Sequence, residues 1–160
     1  MTNYNSPSED LREQGLFPDN AIAGGSLQNA SDSATLGAPV AINDVIRYVR
    51  VPVIARVQSI LFSNTDHGTT GNIALGLYEV GEEGEPVNIS VFSGLVDLTI
   101  ALSFTERRYE THQESSIVVP MWELAGLSER PLYQEFQIAA TVLAATDGAG
   151  TSTMRVTYTV

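Results

Sequence analysis

The stretch "VIRYVRVPVIARVQSILFSN", Val45 to Asn64, decides the class of this chain. Val51, Val53, Ala55 and Val57 share one parity, while Arg50, Pro52, Arg56 and Gln58 sit on the other. Successive side chains of an extended strand point to opposite faces, so the alternation predicts β-structure with one buried face. Pro52 has no N–H to give to a ladder and marks an edge position or a break, dividing the stretch into strands over 45–50 and 54–63.

Downstream the same texture recurs. "SNTDHGTTGN" (63–72) is a turn-rich loop, and in "IALGLYEV" (73–80) Ile73, Leu75 and Leu77 face one way. The acidic turn "GEEGEP" (81–86) and the returning "VNISVF" (87–92) predict a hairpin. Residues 93–113 stay mixed, because Leu95, Leu98 and Leu102 suggest helix while Thr99, Ile100 and Thr105 favour strand. "ESSIVVP" (114–120) reads as a strand, and "PMWELAGL" (120–127) as a short helix with proline in its first turn and Gly126 as its stop. "FQIAATVLAA" (136–145) and "TMRVTYTV" (153–160) flank "TDGAGTS", which predicts a C-terminal hairpin with one buried and one wet face.

Upstream, residues 1–43 are rich in Asn, Ser, Asp, Gly and Ala, with single apolar residues at Leu11, Leu16, Phe17, Ile22, Leu27 and Leu36 and no sustained period. Such a segment cannot offset its own ordering entropy, so it reads as an extended N-terminal arm. The expected organisation is an arm over 1–43 and a domain over 44–160. About seven short strands and one helical turn make that domain all-β, an antiparallel β-sandwich or jelly roll with one short helix.

Composition narrows the chemistry. The 160 residues carry 19 acidic and 8 basic side chains, a net charge of −11, and every basic residue is arginine. That field repels phosphate backbones and anionic lipid, so neither nucleic acid nor membrane is an expected partner. Without lysine there is no Schiff-base chemistry and no P-loop; without cysteine there is no disulfide, thiolate metal site or thiol nucleophile. The polar, acidic start "MTNYNSPSEDLREQ" does not read as a signal peptide, and the sequons at Asn29 and Asn88 are therefore not expected to carry glycans.

Two histidine contexts invite a catalytic or metal reading. Asp66 and His67 are adjacent in a Gly/Thr-rich loop, but neighbours on extended backbone point apart, and a polar loop tip is the plainer reading. His112 lies among Glu106, Glu110 and Glu114, which would share a helical face able to bind a divalent cation; the strand-forming Thr105, Tyr109 and Thr111 favour a solvated acidic loop instead. Trp122 is followed by Leu124 and Leu127, a pattern that plugs a sandwich end more readily than it builds a sugar platform. No catalytic, metal or cofactor site is expected. Arg50 and Arg56 fall on the wet parity, and Arg47 lies near the junction with the arm; such arginines either make ordinary surface pairs or hold acidic residues of a neighbour by bidentate contacts.

Taken in order, "DVIRYVRVPVIARVQSI", "NIALGLYEV", "VFSGLVDLT", "MWELAGLS" and "IAATV…AGTSTMRVTYTV" resemble the small β-sandwich virion proteins of tailed bacteriophages. The resemblance spans residues 44–160; the arm and the longer acidic turn "GEEGEPVN" depart from its pattern. It implies a non-enzymatic capsid decoration or cement protein on the outer surface of the head, made in the host cytoplasm. Its expected partners are the major capsid protein and further copies of itself, a homotrimer being favoured. The residues expected to meet a partner are Leu16, Phe17, Ile22 and Leu27 of the arm together with Arg47, Arg50 and Arg56. The rival expectations are a receptor- or glycan-binding module of a fibre or head spike, which would display an exposed aromatic patch, and a metal-dependent hydrolase using His67 or His112.

Overall fold

The computed structural model describes residues 27–37, 39–81, 84–108 and 118–160. Along them run β1 (Leu27–Leu36), β2 (Val45–Pro52), β3 (Arg56–Asn64), β4 (Asn72–Glu79), β5 (Pro86–Asp97), β6 (Leu102–Glu106), α1 (Met121–Leu124), β7 (Glu135–Ala144) and β8 (Gly150–Thr159). A first sheet has the order β1-β8-β3-β6 and a second the order β2-β7-β4-β5, with antiparallel pairing throughout. Among these strands only β4 and β5 are joined within one sheet; every other connection crosses between sheets. Eight strands wound in this way make a jelly roll, the second of the two expected architectures.

Three sequence expectations change. Leu27–Leu36, read as part of an aperiodic arm, is β1, paired with β8 over all ten residues without a register shift. Its alternation was hidden because the inward positions hold Gln28, Ala30, Asp32 and Ala34, residues too small or too polar to mark a buried face. β7 and β8, expected to form a hairpin, lie in different sheets, so "TDGAGTS" is a crossover. The mixed region resolves into the continuation of β5 to Asp97 and the short β6, while Val118 to Pro120 are not strand. The remainder of "ESSIVVP" lies outside the described residues.

The core lies between the sheets. Val57, Ile60 and Phe62 of the first sheet face Val51, Ile73, Leu75, Leu77, Phe136 and Ile138 of the second, all without solvent exposure. Each such side chain contributes about 1.5–3 kcal/mol through burial. One end is closed by α1: the Met121 N–H donates to the Ala55 carbonyl and the Trp122 N–H to the Val53 carbonyl, which seats the fully buried Met121 under the β2–β3 turn. Trp122 packs, partly buried, against the same core. Pro120 precedes the helix and Gly126, at φ 85°, ends it, as the sequence signals indicated.

β5 departs from regular pairing. Leu75 is registered with Ser93 and Leu77 with Asn88, so β5 carries three extra residues in that interval. The slack folds back over Gly76, where a Cβ would lie 2.2 Å from the Asn88 carbonyl oxygen. Only glycine permits this approach, which buries part of the outer face of the second sheet.

Candidate interaction surfaces

The arginines that interrupt the opening stretch occupy three different settings. Arg47, on the outer face of the second sheet, is registered with Ala139, which is registered in turn with Gly76. These small residues leave a trough for the arginine stem. Its Nη2 donates to the Gly84 carbonyl at 3.0 Å, and its guanidinium lies 5.3 Å from the centre of the Tyr78 ring. The Tyr78 hydroxyl is hydrogen-bonded to Thr141. Arg47 thus ties β2 to the β4–β5 turn.

Arg50 is exposed and registered with Gln137 in the second sheet, whereas Arg56 is exposed at the start of β3 in the first. The two point outward from opposite faces of the sandwich and do not form one patch. Among the described residues neither guanidinium has a hydrogen-bond or ion-pair partner. Leu27, 62% exposed, is brought to the same row as Arg56, because both are registered with Thr159. Leu16, Phe17 and Ile22 lie outside the described residues.

The outer face of the first sheet is a carpet of hydroxyls. Ser33 and Thr153 share a hydrogen bond of 2.8 Å, and Thr157 donates to the Asn29 side-chain oxygen at 2.7 Å. Phe104, the one aromatic residue exposed among the described residues, is topped by the Arg155 guanidinium 4.9 Å from its ring centre. Tyr48, Phe62, Tyr78, Phe92, Phe136 and Tyr158 are all buried. An open aromatic platform is therefore absent from the described surface.

A second surface was not foreseen. On the outer face of the second sheet, Val45 is registered with Thr141 and Thr141 with Ala74; Leu95, one residue before the Val96 that pairs with Ile73, lies next in that row. Leu143 stands one row further along β7, and the Asn43 N–H to Val142 carbonyl bond places Ile42 beside it. Ile42, Val45, Leu95 and Leu143 are 37–62% exposed and separated by the small residues Thr141 and Ala74. The sequence concealed this because β7 is apolar on both faces, so "AATVL" does not announce which leucine points outward.

Of the residues considered for chemistry, Asp66, His67 and Glu106 are described, and each makes contacts within the fold. The Asp66 carboxylate accepts the Gly68 N–H at 2.7 Å, while His67 has no solvent-exposed surface. Burial pushes the imidazole below the ordinary histidine range, outweighing the Thr151 backbone and the Asp66 charge, which act to raise it. Glu106 accepts the Ser59 hydroxyl and the N–H groups of Ile60, Arg107 and Arg108, splinting β6 to β3. His112, Glu110 and Glu114 lie outside the described residues. Among those described, no group of three or more His, Asp or Glu side chains is placed to hold a metal ion. At the α1 end a cleft of about 280 Å³ is lined by Glu79, Val80, Tyr133, Gln134 and Glu135.

No family model and no curated protein matches the chain. Among solved structures it is similar to a chain of the cyanophage Pam1 capsid asymmetric unit, at 16% identity and a TM-score of 0.44, over 100% of this chain and 99% of that one. A chain from the structure of infectious bursal disease virus Gx strain aligns at 10% identity and a TM-score of 0.26, over 85% of this chain and 37% of that one. Both likenesses are loose, and the jelly-roll assignment rests on the strand ladders of this chain alone.

Proposed function

We propose that this chain is a non-enzymatic structural protein of a tailed-phage virion, a decoration or cement protein that binds the outer surface of the head between capsomers and stabilises it. The observation that carries the reading is the exposed apolar surface of Ile42, Val45, Leu95 and Leu143 on an otherwise acidic chain. Exposed apolar residues grouped on one sheet face and divided only by small side chains are what a docking surface requires. The resemblance of residues 44–160 to small phage virion proteins supplies the kind of partner, the major capsid protein. Jelly rolls occur in capsid, lectin and cupin proteins alike, so the fold is compatible with the role and does not select it.

In this reading Arg50 and Arg56 are free to hold acidic groups of neighbouring subunits, and self-association as a trimer accompanies binding at threefold positions. A glycan-binding module draws little support from the described aromatic side chains: six are buried, Trp122 and Tyr133 are partly buried, and Phe104 is covered by Arg155.

The test is co-sedimentation with purified heads lacking this protein. Wild-type chain should bind saturably, in a copy number comparable to the shell protein. The Leu95→Glu/Leu143→Glu variant, first shown to melt like wild type, should lose more than roughly tenfold in affinity. Equal binding by that variant would reject the surface, and no binding by wild type would reject the virion role.

A further inference from the structure

The end of the sandwich that carries the apolar surface is assembled around His67. Its N–H donates to the Leu98 carbonyl at 3.0 Å, and its own carbonyl accepts the Gly148 N–H at 2.8 Å, joining the β3–β4, β5–β6 and β7–β8 connections at one residue. The ring itself is sealed against the start of β8: a Cβ on Gly150 would lie 2.6 Å from Cδ2 and Nε2 of the imidazole. It has no exposed surface, neither ring nitrogen has a partner at full hydrogen-bond geometry, and the nearby Thr151 backbone favours the charged ring less than burial disfavours it. The same connections hold the exposed apolar residues. Thr146 exchanges hydrogen bonds with Val40 in the loop of Ile42, and the Thr70 hydroxyl donates to the Ala145 carbonyl just beyond Leu143.

We propose that His67 is an acid-sensitive latch: taking up a proton drives the imidazole out of its seat and opens this end of the sandwich, so that a partner docked on the adjoining apolar surface is released. The latch is a property of the isolated chain; its effect on a partner rests on the function proposed above.

The carboxylates around the ring are each engaged elsewhere, and the Asp66 charge favours the imidazolium less than burial disfavours it. On its own loop Asp66 is turned to the Gly68 N–H; on the β7–β8 turn Asp147 is occupied by the N–H groups of Thr69 and Thr70 and the Thr69 hydroxyl; beside Leu98, Asp97 is occupied by the N–H and hydroxyl of Thr99. The β8 residues against the ring, Gly150 and Thr151, carry no charge. A buried cation without a paired anion is costly, and exposing the ring relieves it. The folded chain therefore binds this proton less readily than the unfolded chain does, which agrees with the lowered proton affinity of the ring. The stabilisation is fully present above about pH 6.5, the ordinary histidine value, and declines as pH falls below it.

The experiment is amide hydrogen exchange on the full chain at pH 7.5 and pH 5.5, corrected for intrinsic rates. In wild type the amides of His67, Leu98 and Gly148 should exchange several-fold faster at the lower pH. In His67→Gln that pH dependence should vanish. Unchanged protection in wild type, or an equal loss in His67→Gln, overturns the latch. Should His67→Gln not fold, an NMR titration of the wild-type His67 ring decides: a transition at the ordinary value that leaves these amides unshifted overturns the latch, and one below it that moves them supports it. Heads carrying the protein are then taken to pH 5.5. Release supports the whole proposal; an opened loop with full retention overturns only the docking surface, leaving the latch intact.

Discussion

Leu27 and Arg56 flank Thr159 from opposite sides, one on β1 and the other on β3, each registered with the same residue of β8. Two strand spacings, about 9.6 Å, separate their backbones. A residue of the expected arm and an arginine of the central stretch, 29 positions apart, thus share one row of the first sheet.

The arginines should separate into two behaviours. Arg56→Ala and Arg50→Ala should leave stability within about 0.5 kcal/mol of wild type, since neither guanidinium has a partner within the described fold. Both should weaken head binding more at low salt than at high salt. Arg47→Ala should instead lower stability by about 1–2 kcal/mol, through loss of the Gly84 hydrogen bond and the Tyr78 ring contact. Urea unfolding alongside co-sedimentation at two salt concentrations checks all three.

Two glycines of the second sheet should respond oppositely to alanine. At Gly76 the added Cβ meets the Asn88 carbonyl and the Ile89 backbone, which cannot move without undoing the β4–β5 ladder. Gly76→Ala should cost about 3 kcal/mol or prevent folding. At Gly94 a Cβ meets nothing within 4 Å, and the substitution should be neutral within about 0.5 kcal/mol. Urea midpoints of the two variants make the comparison.

Asp147 sets a second, more acidic boundary. Its carboxyl is held below the ordinary carboxylate value chiefly by the Thr69 hydroxyl and the Thr70 N–H. A carboxylate favoured by the fold stabilises it fully above about pH 3.9, the unfolded value, and the benefit is lost as pH falls through the lower folded value. Thermal melts of wild type should therefore show a falling Tm below about pH 4. Asp147→Ala should melt lower than wild type at neutral pH and with a shallower acid dependence.

Inside the sandwich, the hydroxyls of Tyr48 and Ser152 bridge the two sheets at 2.6 Å, both residues being buried. Burial raises the proton affinity of the phenol, so it remains neutral over the working pH range. Tyr48→Phe should cost about 1–3 kcal/mol by stranding the serine hydroxyl. The Tyr48→Phe/Ser152→Ala double variant should recover part of that loss. A double-mutant cycle in urea measures the coupling.

The contrast between β1 and β8 shows what made strands legible. β8 alternates Met154, Val156 and Tyr158 with threonine and arginine, so its buried face can be read directly. β1 presents Gln28, Ala30 and Asp32 to the same interior; Gln28 is accommodated there because its side-chain oxygen accepts a hydrogen bond from the Tyr158 hydroxyl at 3.1 Å. A polar residue satisfied by a partner 130 positions away carries no local signal.

Sequence alone determined the β-rich character, the break at Pro52, the proline-to-glycine limits of α1 and a side-chain inventory without cysteine or lysine. These follow from side-chain period, backbone restriction and composition, which are properties of neighbouring residues. Tertiary structure decided that β7 and β8 part into different sheets, that Arg47 is engaged while Arg50 and Arg56 face outward, and that Leu95 and Leu143 share a surface. Each depends on which strands pair and in what register, and strand pairing joins residues far apart in the chain that no local pattern specifies.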